Sequence, residues 1–150
     1  MDIYVQTVGN RACAAGVPQT LIQLVTPSTV RAQVTKLSIS FDGGTSTAEP
    51  CDVFLSVEDS AGTSSAGTVA KNDTSAPTAL VTTRVGFSST EPAYSNEVLR
   101  VVIHPQGGLY ELNWEIGDRT APFMAVSTRL GLIVNAPANV NATAAVAWAE

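Results

Sequence analysis

Apolar and polar residues alternate along most of this chain, and Gly, Pro, Asn and Asp break the alternation at short intervals. Alternation of period two places successive side chains on opposite faces of an extended strand, so the pattern predicts many short antiparallel strands. Candidate strands fall at 3–7, 21–25, 30–41, 52–58, 80–87, 97–104, 109–115, 122–126, 129–135 and 142–148. Turn residues separate them, among them Asp42-Gly43-Gly44, Pro105-Gln106-Gly107-Gly108 and Ile116-Gly117-Asp118. No window repeats apolar residues at spacings of three and four, so no helix is predicted.

Three stretches depart from the simple pattern. In 30–41, Val30, Ala32 and Val34 share one parity, while Leu37, Ile39 and Phe41 share the other. One extra residue near Thr35-Lys36 returns both sets to the same face, which predicts a β-bulge or a sheet-changing bend there. Residues 9–20 show no periodicity and read as an arm or loop following a short first strand. Residues 59–79 are rich in Ser, Ala, Gly, Thr, Asn and Asp and read as an exposed loop, long enough to suggest a functional or mobile segment. Glu-Pro recurs after an aromatic strand end, at Thr47-Ala48-Glu49-Pro50 after Phe41 and at Thr90-Glu91-Pro92 after Phe87. Repeated turn chemistry accounts for this echo as well as a duplication does.

A chain made of such strands hides its apolar faces by stacking two sheets or closing a barrel. The expected fold is all-β: a two-sheet antiparallel β-sandwich of jelly-roll type with eight or nine of these ten candidates as its strands. An immunoglobulin-like sandwich is the alternative, but Trp114 lies beyond both cysteines and the Cys-Trp-Cys spacing is missing. The 150 residues suit one domain and bury roughly 70% of the unfolded surface, enough for a core without staples. The expected division is an N-terminal arm, or short strand plus loop, over 1–20 and one sandwich domain over 21–150.

Charge narrows the partners. The net charge is −5, and the eight Lys and Arg residues are scattered from Arg11 to Arg129, so no nucleic-acid surface is predicted. Charged residues are only 14%, with Thr, Ser and Ala in their place, which suits a protein that works inside an assembly. No apolar run reaches the length of a membrane span, and Met1-Asp2-Ile3-Tyr4 lacks the basic start of a signal peptide, so no membrane partner is expected. Asn72-Asp73-Thr74 and Asn141-Ala142-Thr143 fit the glycosylation pattern by chance on that reading. Cys13 and Cys51 are too few and too distant for a disulfide framework and read as free, buried thiols.

Candidate chemistry is sparse. The single histidine, His104, stands next to Pro105 with no Gly-x-Ser-x-Gly elbow nearby, and reads as the base of a hairpin rather than as part of a triad. Asp52, Glu58 and Asp59 form the densest carboxylate group but lack calcium-loop spacing. Glu111 and Glu115 share a strand face, and their apolar neighbours make it an ordinary half-exposed one. Tyr4, Tyr94, Tyr110, Trp114 and Trp148 form a sugar platform only if several share an exposed face; core or subunit interface is the commoner use. The expectation is a protein that is not an enzyme and takes no metal or cofactor.

An ordered series of motifs is similar to small β-rich proteins encoded among the structural genes of tailed bacteriophages and prophages. The series runs Leu37-Ser38-Ile39-Ser40-Phe41-Asp42-Gly43, Ala48-Glu49-Pro50, Phe54-Leu55, Thr90-Glu91-Pro92, His104-Pro105-Gln106-Gly107-Gly108, Arg129-Leu130-Gly131 through Asn135-Ala136-Pro137, and the closing Ala147-Trp148-Ala149-Glu150. It covers roughly residues 21–150, and the order of the pieces carries more than any one of them. The resemblance implies a virion component: a head decoration or cement protein, made in the host cytoplasm, that sits as a homotrimer on the major capsid protein at the capsid surface. It brings no catalytic residue. On this reading the contact residues are sought in the arm (Ile3, Tyr4, Val5, Arg11, Val17), in the long loop (Gly62, Thr63, Lys71, Asn72) and at Trp148. A receptor- or carbohydrate-binding module of a fibre or tail is the alternative, and a small hydrolase using Ser and His104 is a third reading.

Overall fold

The computed structural model describes residues 1–42 and 49–150. The expected turn glycines Gly43-Gly44 and the Thr47-Ala48 part of the Glu-Pro echo lie outside the described residues. Twelve strands form among the described residues, in chain order: β1 (Ile3–Cys13), β2 (Gln19–Val25), β3 (Ala32–Asp42), β4 (Cys51–Glu58), β5 (Ser65–Ala66), β6 (Ala70–Lys71), β7 (Thr82–Val85), β8 (Tyr94–Ile103), β9 (Tyr110–Asn113), β10 (Phe123–Met124), β11 (Arg129–Asn135) and β12 (Val140–Ala149).

They build two antiparallel sheets, as the alternation predicts. The first runs β10–β3–β12–β1–β6, with β9 also paired to β3; the second runs β5–β7–β2–β11–β4–β8. The last two long strands therefore part company: β11 lies in the second sheet and β12 in the first, and residues 136–139 carry the chain between them. Between the sheets lies one core that includes Tyr4, Leu21, Ile22, Leu24, Val34, Leu37, Ile39, Leu55, Leu132, Val146 and Trp148.

The bulge in β3 falls where the change of parity places it. Lys36 pairs with Ala147 and Val34 with Trp148, so Thr35 is the extra residue. Val34 and Leu37 consequently both reach the core, although they are three apart.

Two expectations are corrected. The strand number is twelve among the described residues, not eight or nine, and part of the excess is the pair of two-residue strands β5 and β6 inside the stretch read as loop. The first strand does not stop at Thr7 but runs to Cys13, paired with β12 from Ile3↔Ala149 to Cys13↔Val140. Residues 9–13 are thus strand rather than arm. A second bulge hides them from a reading by period. Asn10 adopts a left-handed backbone (φ 53), and the register shifts between Val8 and Arg11.

Candidate functional site

The outer faces of the two sheets differ, and the difference locates the candidate contact surface. In the second sheet, alternation turns Phe54, Ser56 and Glu58 of β4, Gln23 of β2 and Ile133 of β11 away from the core. All five are nevertheless buried. A strap of the chain's own making, residues 59–63 and 87–93, lies over the Gln23 and Glu58 end, with Ser60 O accepting from Gln23 Nε2 at 3.2 Å, while Tyr94 and Arg100 pack on Phe54. Backbone bonds hold the strap's two runs together, Thr63 N to Thr90 O at 2.8 Å and Ser88 N to Thr63 O at 3.1 Å. Gly62 fits against Pro92 and Thr90 with a left-handed backbone (φ +63), where a Cβ would meet both.

Among the described residues the first sheet has no such cover over its centre. Its outward residues there are Ile3 and Val5 on β1, Ala145 and Ala147 on β12, and Lys36 and Ser38 on β3. Together with Thr35, Asn72, Asn113 and Trp114 they line a groove of about 480 Å³. Small alanines make its floor and larger side chains its walls. The bulge contributes directly, because the carbonyl of its extra residue, Thr35, accepts the backbone N–H of Trp114 at 2.8 Å and fixes the chain as it leaves β9. Charge on this face is balanced: Lys36 Nζ lies 2.8 Å from Glu111 Oε2, and Asn113 Nδ2 donates to Glu111 Oε1 at 2.9 Å. Phe123, 55% exposed, extends the apolar surface beside Gln33 at the β10 edge.

Three of the ten expected contact residues converge here. Ile3, Val5 and Asn72 line the groove, and Lys71 stands next to Asn72, with its ammonium donating to Ala76 O at 2.7 Å. Asn72 is placed by its backbone N–H, which donates to Ile3 O at 2.9 Å. Tyr4 and Trp148 are corrected: they point into the core at 1% and 0% exposure and offer no surface to a partner. Their parity on β1 and β12 is opposite to that of Val5 and Ala147, which face outward. Gly62 and Thr63 belong to the strap on the other sheet. Val17 is exposed on the β1–β2 connection, and Arg11 is half-buried with its guanidinium donating to Phe87 O. The groove residues that the sequence reading did not single out as contacts are mainly Ala145, Ala147, Lys36, Ser38 and Asn113. Their one signal is the run of alanines at alternate positions of β12.

The other candidates are dispersed. Asp52 pairs with Arg100 at 3.2 Å, Asp59 accepts from Ser95 at 2.9 Å, and Glu58 is enclosed under the strap. Among the described residues no three His, Cys, Asp or Glu side chains gather as metal ligands. His104 is exposed, and its Nδ1 accepts the Gln106 N–H at 3.1 Å, the hairpin-base arrangement expected of it. Glu111 is on β9, but Glu115 lies beyond the end of that strand. Of the five aromatics, Tyr4 and Trp148 are core, Tyr94 packs edge-on to Phe54, and Tyr110 and Trp114 are half-buried against the core. Both thiols are free and buried, and burial pushes Cys13 up to about 11.

Glu58 is the one strongly perturbed carboxyl. Burial pushes it up to about 7, against hydrogen bonds from Gln23 and Thr20 that pull it down; Glu91 raises it further and Arg129 lowers it. Gln23 Nε2 donates to Glu58 Oε2 at 2.6 Å and Thr20 Oγ1 donates to Oε1 at 2.9 Å. Gly131 on β11 leaves the space for this carboxyl, since a Cβ there would collide with both of its oxygens.

No family model matches the chain, and no curated protein or solved structure is significantly similar to it.

Proposed function

We propose that this protein is a non-enzymatic structural component of a virus particle, a capsid decoration protein that binds the major capsid protein and stabilises the head. The observation that carries the reading is the order of strand pairing. With β5, β6, β7 and β10 set aside, β1 pairs with β12, β2 with β11, β3 with β9 and β4 with β8. Pairing from the two chain ends inward is what a long antiparallel ribbon makes when it is rolled into two sheets. That supports the finer description of the fold as a jelly roll, an architecture used by viral capsid and lectin domains. The low charge, the uncovered groove of the first sheet and the motif series similar to phage structural proteins point the same way.

On this reading the first sheet's outer face is the seat, with Ile3, Val5, Ala145, Ala147 and Trp114 against the capsid protein, and three copies sharing each site. A standard interface buries roughly 1,600 Å², and linked copies multiply weak contacts. The test is cosedimentation of the purified protein with empty capsid shells of tailed phages. Saturable binding with a raised shell melting temperature is expected; absence of binding to any shell removes the reading.

The second reading, a carbohydrate-binding module, has one observation behind it: Trp114 shares the groove with Asn72 and Asn113, an aromatic beside amides. A glycan array distinguishes the two, with defined sugar binding expected only of the module.

A further inference from the structure

Glu58 lies in the middle of a regular sheet, yet its surroundings are those of a closed compartment. Strands β2, β4 and β11 provide the floor, and the strap provides the lid. From β2 come Thr20 and Gln23, both uncharged; from β11 come Gly131 and, at longer range, Arg129; from the strap come Ser60 and Glu91. Among the described residues no cation hydrogen-bonds the carboxyl: its bonds come from one hydroxyl and one amide. The amide that holds it is imperfectly satisfied. Gln23 Nε2 also reaches Ser60 O at 3.2 Å, while Gln23 Oε1 is buried without a partner.

We propose that Glu58 is a proton-dependent latch for the strap: with the carboxyl protonated, residues 59–63 and 87–93 lie closed on the outer face of the second sheet, and with it ionised they lift away. This goes beyond the proposed capsid role and does not depend on it.

The argument is one of which element yields. An ionised carboxylate held by two neutral donors in a dry site carries a large desolvation penalty. Water can relieve it only by moving something. The floor strands have neighbours on both sides, so displacing them breaks whole ladders. Among the described residues the strap is tied to the floor by no ladder. Thr63 N to Thr90 O, Ser88 N to Thr63 O, Asp59 N to Ala93 O and Ala93 N to Ser60 Oγ hold its two runs to each other; to the rest of the fold it is tied by the buried Phe87, whose carbonyl accepts from Arg11, by Gln23 to Ser60 O, and by Thr20 N to Glu91 Oε2. The last tie adds a push. Glu91 brings its own negative charge over Glu58 on the strap itself, so the second charge repels the lid and not the floor. The upward shift of the Glu58 carboxyl to about 7 puts the change in the neutral range.

The test is amide hydrogen exchange of the full chain from pH 5.5 to 8.5, each rate divided by its intrinsic rate at that pH. Protection at Thr20, whose N–H bonds to Glu91 of the strap, is expected to fall by up to about tenfold per pH unit as the pH rises towards the folded Glu58 midpoint of about 7 and to level off above it, while β11 amides stay flat. In Glu58→Gln the Thr20 protection is expected to lose its pH dependence. In Glu91→Gln the midpoint moves to lower pH, because a like charge has gone. Thr20 protection that is flat with pH in the wild type overturns the latch. So does parallel loss in β11, which makes the change global. PH dependence retained in Glu58→Gln, or a midpoint unmoved in Glu91→Gln, overturns it too; the Glu91 variant and the wild type decide if Glu58→Gln does not fold.

Discussion

Trp148 stands directly across the sheet from Tyr4, and their rings stack with centroids 6.1 Å apart. The contact ties the last strand to the first inside the core. Each ring also reaches a loop through its polar end. Tyr4 Oη donates to Pro77 O at 3.0 Å, and Trp148 Nε1 donates to Glu150 Oε2 at 3.3 Å. The Glu150 carboxylate in turn accepts the N–H groups of Leu80 (2.5 Å) and Val81 (2.9 Å). Two aromatic side chains thus anchor both ends of the described chain and the segment that crosses from β6 to β7.

Removing the larger ring tests that anchor. Trp148→Ala leaves a cavity beside Tyr4 and strips Glu150 of one donor. The expected cost is about 3–5 kcal/mol, the range for emptying a buried aromatic site. Urea unfolding followed by far-UV circular dichroism measures it, with a lowered midpoint and an unchanged slope. Trp148→Phe keeps most of the ring volume and is expected to recover more than half of the loss.

Much of this arrangement was legible in the sequence because period two is a local signal. The strand cores, the parity change at Thr35 and the turn at Pro105–Gly108 all follow from near neighbours. What stayed hidden depends on distant ones. Residues 9–13 look aperiodic because Asn10 bulges, and only β12 reveals them as strand. The outward side of β4 is buried by segments distant in sequence, Glu58 beneath the strap and Phe54 against Tyr94 and Arg100. The resemblance puts Trp148 at an interface, but the alternation it shares with Val146 and Ala144 turns it into the core.

Gly131 and Glu58 are expected to be energetically coupled. Gly131→Ala drives a methyl into the carboxyl across the β11–β4 pairing. Overpacking of this kind costs about 1–3 kcal/mol. Glu58→Ala removes the obstacle, so Gly131→Ala made in that background is expected to cost less than half as much. A double-mutant cycle from urea unfolding measures the difference, and additive losses contradict the geometry.

Global stability is expected to fall as pH rises through the neutral range. The folded Glu58 carboxyl titrates at about 7, above its ordinary value of 4.5. The folded chain therefore holds a proton that the unfolded chain has released. Such a group gives its full stabilisation below 4.5 and loses it progressively up to about 7. The loss amounts to roughly 3 kcal/mol at most, set by the gap between the two values. The carboxyls of Asp73, Glu97, Glu111 and Asp118 are shifted down by their hydrogen bonds, and so act in the opposite direction, only in acid. Urea midpoints at pH 5.5 and 8 measure the slope, which Glu58→Gln is expected to flatten.

The groove of the first sheet gives the sharpest surface prediction. Ala145 lies on its floor, half-buried and pointing away from the core, so a long side chain there extends into the groove without entering the fold. Ala145→Arg is expected to keep the wild-type circular dichroism spectrum and melting temperature. It fills the space between the Ile3–Val5 wall and Trp114, and it leaves a guanidinium in a groove where the neighbouring Glu111 carboxylate is already engaged by Lys36. Shell cosedimentation is therefore expected to fall at least a hundredfold in affinity, since a buried, unpaired charge costs several kcal/mol at an interface. Val102→Lys, on an exposed position of β8 in the opposite sheet, is the control and is expected to bind as the wild type does. Equal binding by Ala145→Arg and wild type would move the seat off this face, and loss of binding in Val102→Lys alone would move it to the other sheet.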